Sequence, residues 1–199
     1  MLNLLKYIKR SCPWIWYLIE YINGLLIKVF YGRRIKLAIR DALFLKHDMP
    51  YEYRQLQLED AGNLLDFISN QPEGFDKYFS PHPFDLKNFR RVLSNGTFVL
   101  IGVFDHKDLV GYCFLRFFVN KSAFRGKIVD YKYQGRGIAK HMGQIMTNIA
   151  SDAGFHVYAT ISTSNVASLQ SAKSGAQIKV IKELPDDYIY IEILKDSCS

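Results

Sequence analysis

The stretch KIVDYKYQGRGIAKHMGQIMTNIA, from Lys127 to Ala150, constrains this chain more tightly than any other. A short apolar strand ends at Val129 or Asp130, a turn carries Gln134, Gly135, Arg136 and Gly137, and Ile138, Met142, Ile145, Met146 and Ile149 then recur at helical spacing. A strand that passes through two glycines into a helix start has a defined physical use. The glycines let the backbone come close to a guest, successive N–H groups at the helix N-terminus point at it, and the helix dipole favours negative charge there. A phosphate or pyrophosphate fits such a turn, although the same pattern also serves where a strand merely runs into a helix.

The rest of the second half alternates between strand and helix signals. Tyr53 to Leu58 alternates as a strand, and Glu59-Asp60 opens an amphipathic helix carrying Leu64, Leu65, Phe67 and Ile68. After a turn-rich NQPEG, Asp85 is placed to cap a short helix with Leu86, Phe89, Val92 and Leu93 on its buried side. Thr97–Phe104 and Leu109–Val119 are β-branched and aromatic runs around DHKD, an antiparallel hairpin. Beyond the glycine turn and its helix come a strand at Phe155–Ser162, a helix at Val166–Lys173, and a last hairpin of Gln177–Ile181 and Tyr188–Leu194. The predicted order is strand, two helices, three strands, helix, strand, helix, two strands.

Charge divides the chain. Its net charge is +7, yet Lys6, Lys9, Arg10, Lys28, Arg33, Arg34, Lys36, Arg40 and Lys46 against Glu20, Asp41 and Asp48 put +6 of it before Tyr51. Two regions follow: a basic amphipathic helical extension over 1–50, and a nearly neutral domain over 51–199, which calls for no nucleic acid. Within the extension, apolar residues from Leu4 to Val29 recur every three or four positions. They predict a short helix, a break at Pro13, and a second helix to about Tyr31. The aromatic-rich segment between Arg10 and Lys28 holds Glu20 and Asn23, so it does not read as a span. It reads as a helix packed on the domain or on a second subunit (a homo-oligomer contact), or as one lying in a membrane interface. Cys12, Cys113 and Cys198 have neither disulfide nor zinc spacing, which fits a reducing cytoplasm, with membrane association through the extension as the variant. No metal site is expected.

At this point the residues resemble a known family, the GCN5-related N-acetyltransferases, or GNAT superfamily. Gln134-Gly135-Arg136-Gly137-Ile138-Ala139 is similar to the family's Q/R-x-x-G-x-G/A signature, with Asp130-Tyr131-Lys132-Tyr133 before it. Asn165-Val166-Ala167-Ser168 followed by Lys173-Ser174-Gly175-Ala176 is similar to its second element, though Ala176 replaces an aromatic and the spacing is about one residue short. The resemblance covers Tyr51 to Leu194 and implies an α/β (α+β) fold: a mixed, twisted central sheet of about six to seven strands flanked by helices, with the helical extension added at the N-terminus. It implies acetyl-CoA as cosubstrate in a gap between the fourth and fifth strands. Its arm would lie along Ile128 and Val129, its pyrophosphate on the N–H groups from Gln134 through Gly135, Arg136, Gly137 and Ile138 to Ala139, with Asn165 and Ser168 nearby. Arg136 and Lys140 would add charge.

The implied reaction is direct attack of an amine on the thioester, which needs a proton removed from the acceptor and one supplied to the leaving thiolate. Relatives often use a tyrosine for the second task; the corresponding positions here are Ser171 and Ala172, and no Glu occurs from Leu115 to Val129. His82, between two prolines, is a candidate base, as are Asp130 and Tyr133 beside the expected thioester. The acceptor is expected to be a small-molecule amine. The segment FSPHPF resembles a pattern in bacterial acetyltransferases of surface-polysaccharide pathways, which adds a nucleotide-linked amino sugar as the finer expectation. O-acylation and a non-catalytic CoA-binding module are the alternatives.

Overall fold

The computed structural model describes residues 13–44 and 50–195, with side chains from Leu18 onward. A long helix α1 (Pro13–Phe44) precedes a domain built as β1 (Glu52–Gln55), α2 (Ala61–Ser69), α3 (Leu86–Ser94), β2 (Phe98–Asp105), β3 (Asp108–Phe117), β4 (Ser122–Val129), α4 (Ile138–Asp152), β5 (His156–Ser162), α5 (Val166–Gly175), β6 (Gln177–Leu184) and β7 (Tyr188–Leu194). Three short 3-10 turns, Leu58–Asp60, Phe75–Tyr78 and Tyr131–Tyr133, join these elements. The seven strands form one sheet in the order β1-β2-β3-β4-β5-β7-β6. Every neighbouring pair is antiparallel except β4 and β5. The element order agrees with the sequence expectation throughout the domain.

Alternation along the central strands fills both faces of the sheet. Val99, Ile101 and Val103 of β2 with Cys113, Leu115 and Phe117 of β3 enter one core, where Met142, Ile145, Met146 and Ile149 of α4 cover them. Leu100 and Phe104 with Tyr112 and Phe114 enter the other, under Leu64, Phe67 and Ile68 of α2 and Phe89 and Val92 of α3. Asp85 caps α3 as its sequence position predicts, its carboxylate accepting from the Asn88 backbone N–H at 2.8 Å.

Two elements differ from expectation. The second helix does not stop near Tyr31 but runs on to Phe44. Ile35, Ala38, Ile39 and Ala42 continue its buried face against α4, and this tertiary burial carries the helix through Gly32. The short helix expected before Pro13, and the segment 45–49 at the boundary between extension and domain, lie outside the described residues. The other difference is β4, which starts at Ser122 rather than near Lys127, because Arg125, Gly126 and Lys127 hide its strand character in the sequence.

Polar bonds fix α1 as well as packing does. Asn23 Nδ2 donates to the Phe117 carbonyl at 3.1 Å, while its Oδ1 accepts from the Val119 N–H at 3.2 Å. Arg116 donates to Glu20 at 2.7 Å. The helix is therefore seated on the sheet by one face. Ile27, with 0% exposure, and Val29, with 68%, lie two residues apart on opposite sides of it. Ile27→Ala is expected to lower stability by about 2–4 kcal/mol, and Val29→Ala to change it by no more than about 0.5 kcal/mol, in urea unfolding of the full chain.

Candidate active site

β4 and β5 pair only at their beginnings, Ser122 with His156, Ala123 with Val157 and Phe124 with Tyr158. Beyond that point they part. β5 continues to pair with β7 on its far side and β4 with β3, so the facing edges of Arg125–Val129 and Ala159–Ser162 lack a strand partner. Backbone N–H and C=O groups left this way inside a protein call for a guest that can bond like a strand. The gap opens into a cleft of about 750 Å³.

At the wide end of this cleft stands the N-terminus of α4. Gly135 and Gly137 both hold left-handed backbone, at φ +76° and +81°, a conformation that costs other residues about 1 kcal/mol or more. Gly137 is the N-cap and brings no capping side chain, so the first N–H groups of a four-turn helix remain open toward Gln134–Gly137. An uncapped helix start behind two left-handed glycines is a site for an anion.

The floor is less expected. Arg125 and Lys127 project from the same side of β4 toward α4. The Arg125 guanidinium, buried, donates to the Gly143 carbonyl at 2.6 Å and to Thr147 Oγ1 at 2.7 Å. Lys127 Nζ donates to the Ala139 carbonyl at 2.7 Å and to Ser171 Oγ at 2.8 Å. An ammonium has three N–H donors, so one remains beyond these two bonds. Neither cation forms an ion pair with a carboxylate among the described residues. Gly143 makes room for them, since a Cβ there would come within 3.1 Å of Lys127 Nζ. Burial first, then repulsion from Arg125, pulls Lys127 down to about 7; burial pulls Arg125 down to about 10, and it stays charged at neutral pH.

Of the residues singled out in the sequence, Ile128, Val129, Gln134, Gly135, Gly137, Ile138, Ala139, Asn165, Ser168 and Tyr133 all line this cleft. Asn165 spends its side-chain carbonyl as the cap of α5, accepting from the Ser168 N–H at 3.0 Å, which leaves its amide nitrogen to offer a guest. Arg136 is not among the lining residues. Its guanidinium donates to the Lys132 carbonyl at 3.2 Å and lies over the Tyr133 ring, 4.7 Å from the centroid. Asp130 caps a 3-10 turn, accepting from the Lys132 N–H at 2.8 Å and from Gln71 at 3.1 Å. Tyr133 donates its hydroxyl to Asp105 at 2.9 Å, which holds the phenol protonated.

His82 sits apart, half-buried edge-on against Phe84 and Phe89, with Nδ1 3.0 Å from the Pro83 carbonyl. Burial lowers its proton affinity, and it does not line the cleft. The residues that sequence reasoning missed are Arg125, Lys127 and the aromatic mouth of Phe75, Tyr78 and Phe79. Ala123, Arg125 and Lys127 at alternate positions just before the glycine turn were the available signal: inward-facing charge on a central strand.

Comparison with known proteins agrees with this geometry. A family model described as an acetyltransferase (GNAT) domain matches residues 52–175. No curated protein matches the chain by sequence. Among solved structures, a ribosomal-protein-S5-alanine acetyltransferase from Vibrio fischeri is similar with a TM-score of 0.66 at 14% identity, over 77% of this chain and 98% of that one. A spermidine N-acetyltransferase from Vibrio cholerae, in complex with CoA and spermine, is similar with a TM-score of 0.62 at 16% identity, over 73% and 96%. The GNAT domain of the S. lividans protein PAT gives 0.63 at 15%, over 71% and 89%. At these identities the likeness is one of fold.

The buried lysine sets a pH dependence whose sign can be worked out. Between about pH 7 and the ordinary lysine value of 10.5, the unfolded chain carries a proton at Lys127 that the native chain lacks. Stability of the ligand-free protein therefore rises with pH across that window, and the penalty is fully present below it. In thermal unfolding at several pH values, Lys127→Met is expected to flatten this rise and to gain most in stability below pH 7.

Proposed function

This chain belongs to the GNAT acetyltransferase family, and from that premise we propose that it moves an acetyl group from acetyl-CoA to the amine of a small molecule, with a nucleotide-linked amino sugar as acceptor. One observation carries the reading: a single cleft runs from an uncapped helix N-terminus, along unpaired strand edges, to an aromatic mouth. That sequence of surfaces suits an anionic head, an amide-bearing arm and a reacting end, in that order. Bound there, acetyl-CoA would supply an activated acyl thioester.

The chain's own residues do the rest. Backbone N–H groups from Gln134 to Ala139 hold the pyrophosphate, and the edge of Arg125–Val129 pairs with the amides of the arm. Arg125, held to α4, contributes fixed positive charge to the floor. Lys127 Nζ holds a proton that exchanges near neutral pH and is bonded to Ser171 Oγ, so the two form a short route for a proton into the cleft. On the acceptor side, Phe75, Tyr78 and Phe79 offer aromatic faces that suit the C–H face of a sugar ring and attract an amine. No carboxylate lines the described cleft, which favours a neutral or anionic acceptor over a polycation.

A non-catalytic acyl-CoA-binding role has one observation in its favour: neither imidazole nor carboxylate lines the described cleft. Calorimetric titration with acetyl-CoA, followed by thiol release in the presence of nucleotide-linked amino sugars, simple amines and polyamines, separates the readings. Binding with turnover on an amino sugar is the expected result. Turnover on a polyamine alone would displace the acceptor class, and binding with no turnover would leave the non-catalytic role. Gly135→Val and Gly137→Val are expected to weaken acetyl-CoA at least about tenfold, a loss of about 1.4 kcal/mol, while the native circular dichroism is kept.

A further inference from the structure

Helix α1 has a second organised face. Opposite the seated side, Leu18, Ile22, Leu25 and Val29 follow one another at steps of four and three, and all are exposed. Tyr21 and Phe30 flank them at 70% and 67% exposure. The same stripe continues down the helix at the same steps as Arg33, Lys36 and Arg40, also exposed. Exposed apolar side chains are ordinary when scattered; a continuous ridge that ends in cations on the same face is not.

We infer that this ridge docks the enzyme on an anionic phospholipid surface, with Leu18–Val29 in the headgroup and acyl boundary and Arg33 and Lys36 on the lipid phosphates. Charge decides between occupants. The described part of α1 holds five cations, Lys28, Arg33, Arg34, Lys36 and Arg40, and two acids, Glu20 and Asp41. Both acids are already engaged, Glu20 with Arg116 at 2.7 Å and Asp41 with Arg40 at 2.8 Å. A second copy laid in parallel on this ridge would set Arg33 and Lys36 against themselves, and in antiparallel would find no free carboxylate to meet them. A negative surface pairs with Arg33 and Lys36, which no described carboxylate engages, and accepts the apolar half as well. No helix among the described residues is long and apolar enough to cross a membrane, so the contact is with the surface. The ridge is also held rigidly, because the opposite face of α1 is locked into the core through Ile27, Ile35, Ala38 and Ile39. Docking therefore costs little ordering of the helix.

Flotation of the full chain with phosphatidylcholine vesicles, with and without phosphatidylglycerol, tests this inference without reference to acetyl transfer. Binding to the anionic vesicles only, weakened by added salt, is the expected result. Arg33→Gln/Lys36→Gln should reduce it about thirtyfold, at roughly 1 kcal/mol per cation at such a surface, and Ile22→Glu/Leu25→Glu should abolish it. All four positions are exposed, and unchanged thermal unfolding of the variants shows that the fold is intact. Three results overturn the proposal: no binding to anionic vesicles, binding that neither pair of substitutions alters, or a dimer in light scattering that Ile22→Glu/Leu25→Glu dissolves while vesicles are ignored.

Discussion

The parting of β4 from β5 after three paired residues is the constraint on which the rest of the site depends. A parallel pair that stops short leaves two strand edges facing each other across a gap, and nothing in a sheet by itself keeps such a gap from closing or filling with side chains. Here two basic residues of β4, the buried Arg125 and the half-buried Lys127, act as struts. Arg125 reaches Gly143 and Thr147 in the middle of α4, and Lys127 reaches Ala139 in the first turn of α4 and Ser171 of α5. The wall of the cleft is thereby bonded to α4, whose N-terminus is left uncapped, and to α5 across the gap. Burying Arg125, and half-burying Lys127, with no carboxylate among the described residues is costly, and an anionic guest in the cleft would relieve that cost.

Much of this was legible in the sequence, and the reason differs from element to element. The glycine turn was legible because left-handed backbone at Gly135 and Gly137 excludes nearly every other residue, so the chemistry is written in the letters themselves. The α3 cap at Asp85 was legible because the pairing of a carboxylate with an N–H three residues on is local. Arg125 and Lys127 were not, since a charged residue in a strand is read as solvent-facing until the helix behind it is known. The end of α1 was missed for the same kind of reason: the apolar spacing was followed only to Val29, and only packing of Ile35, Ala38, Ile39 and Ala42 on α4 shows why the helix continues. His82 is a different case. Its flanking prolines and titratable ring drew attention to it, and the structure packs it edge-on against Phe84 and Phe89, outside the residues that line the cleft.

Arg136 illustrates how a signature residue and its function separate. The backbone at this position is set between two left-handed glycines, which is what the turn requires, but the side chain turns outward onto Tyr133 and the Lys132 carbonyl. Positive charge in the cleft comes instead from Arg125, Lys127 and Lys140, which belong to the strand before the turn and the helix after it. The turn supplies geometry and its neighbours supply charge. Fixed backbone dipoles do not titrate, whereas Lys127, bonded to the first turn of α4, changes its charge near neutral pH.

The balance of charge along the cleft also bears on what can enter from the other end. A polyamine acceptor brings several positive charges and needs carboxylates to replace the water it leaves, yet the described cleft offers three basic residues and no acid. Such an acceptor would meet like charge in the cleft, with Arg125 on its floor still protonated at neutral pH. Under the proposed reading, an acceptor with one amine and its own phosphates would meet the opposite situation: its amine would approach over the rings of Phe75 and Phe79, and its negative charge would be drawn by the basic residues of the cleft. Under the proposed reading the missing carboxylate bears on specificity. A site selects by making the wrong charge expensive as well as by adding contact with the right one.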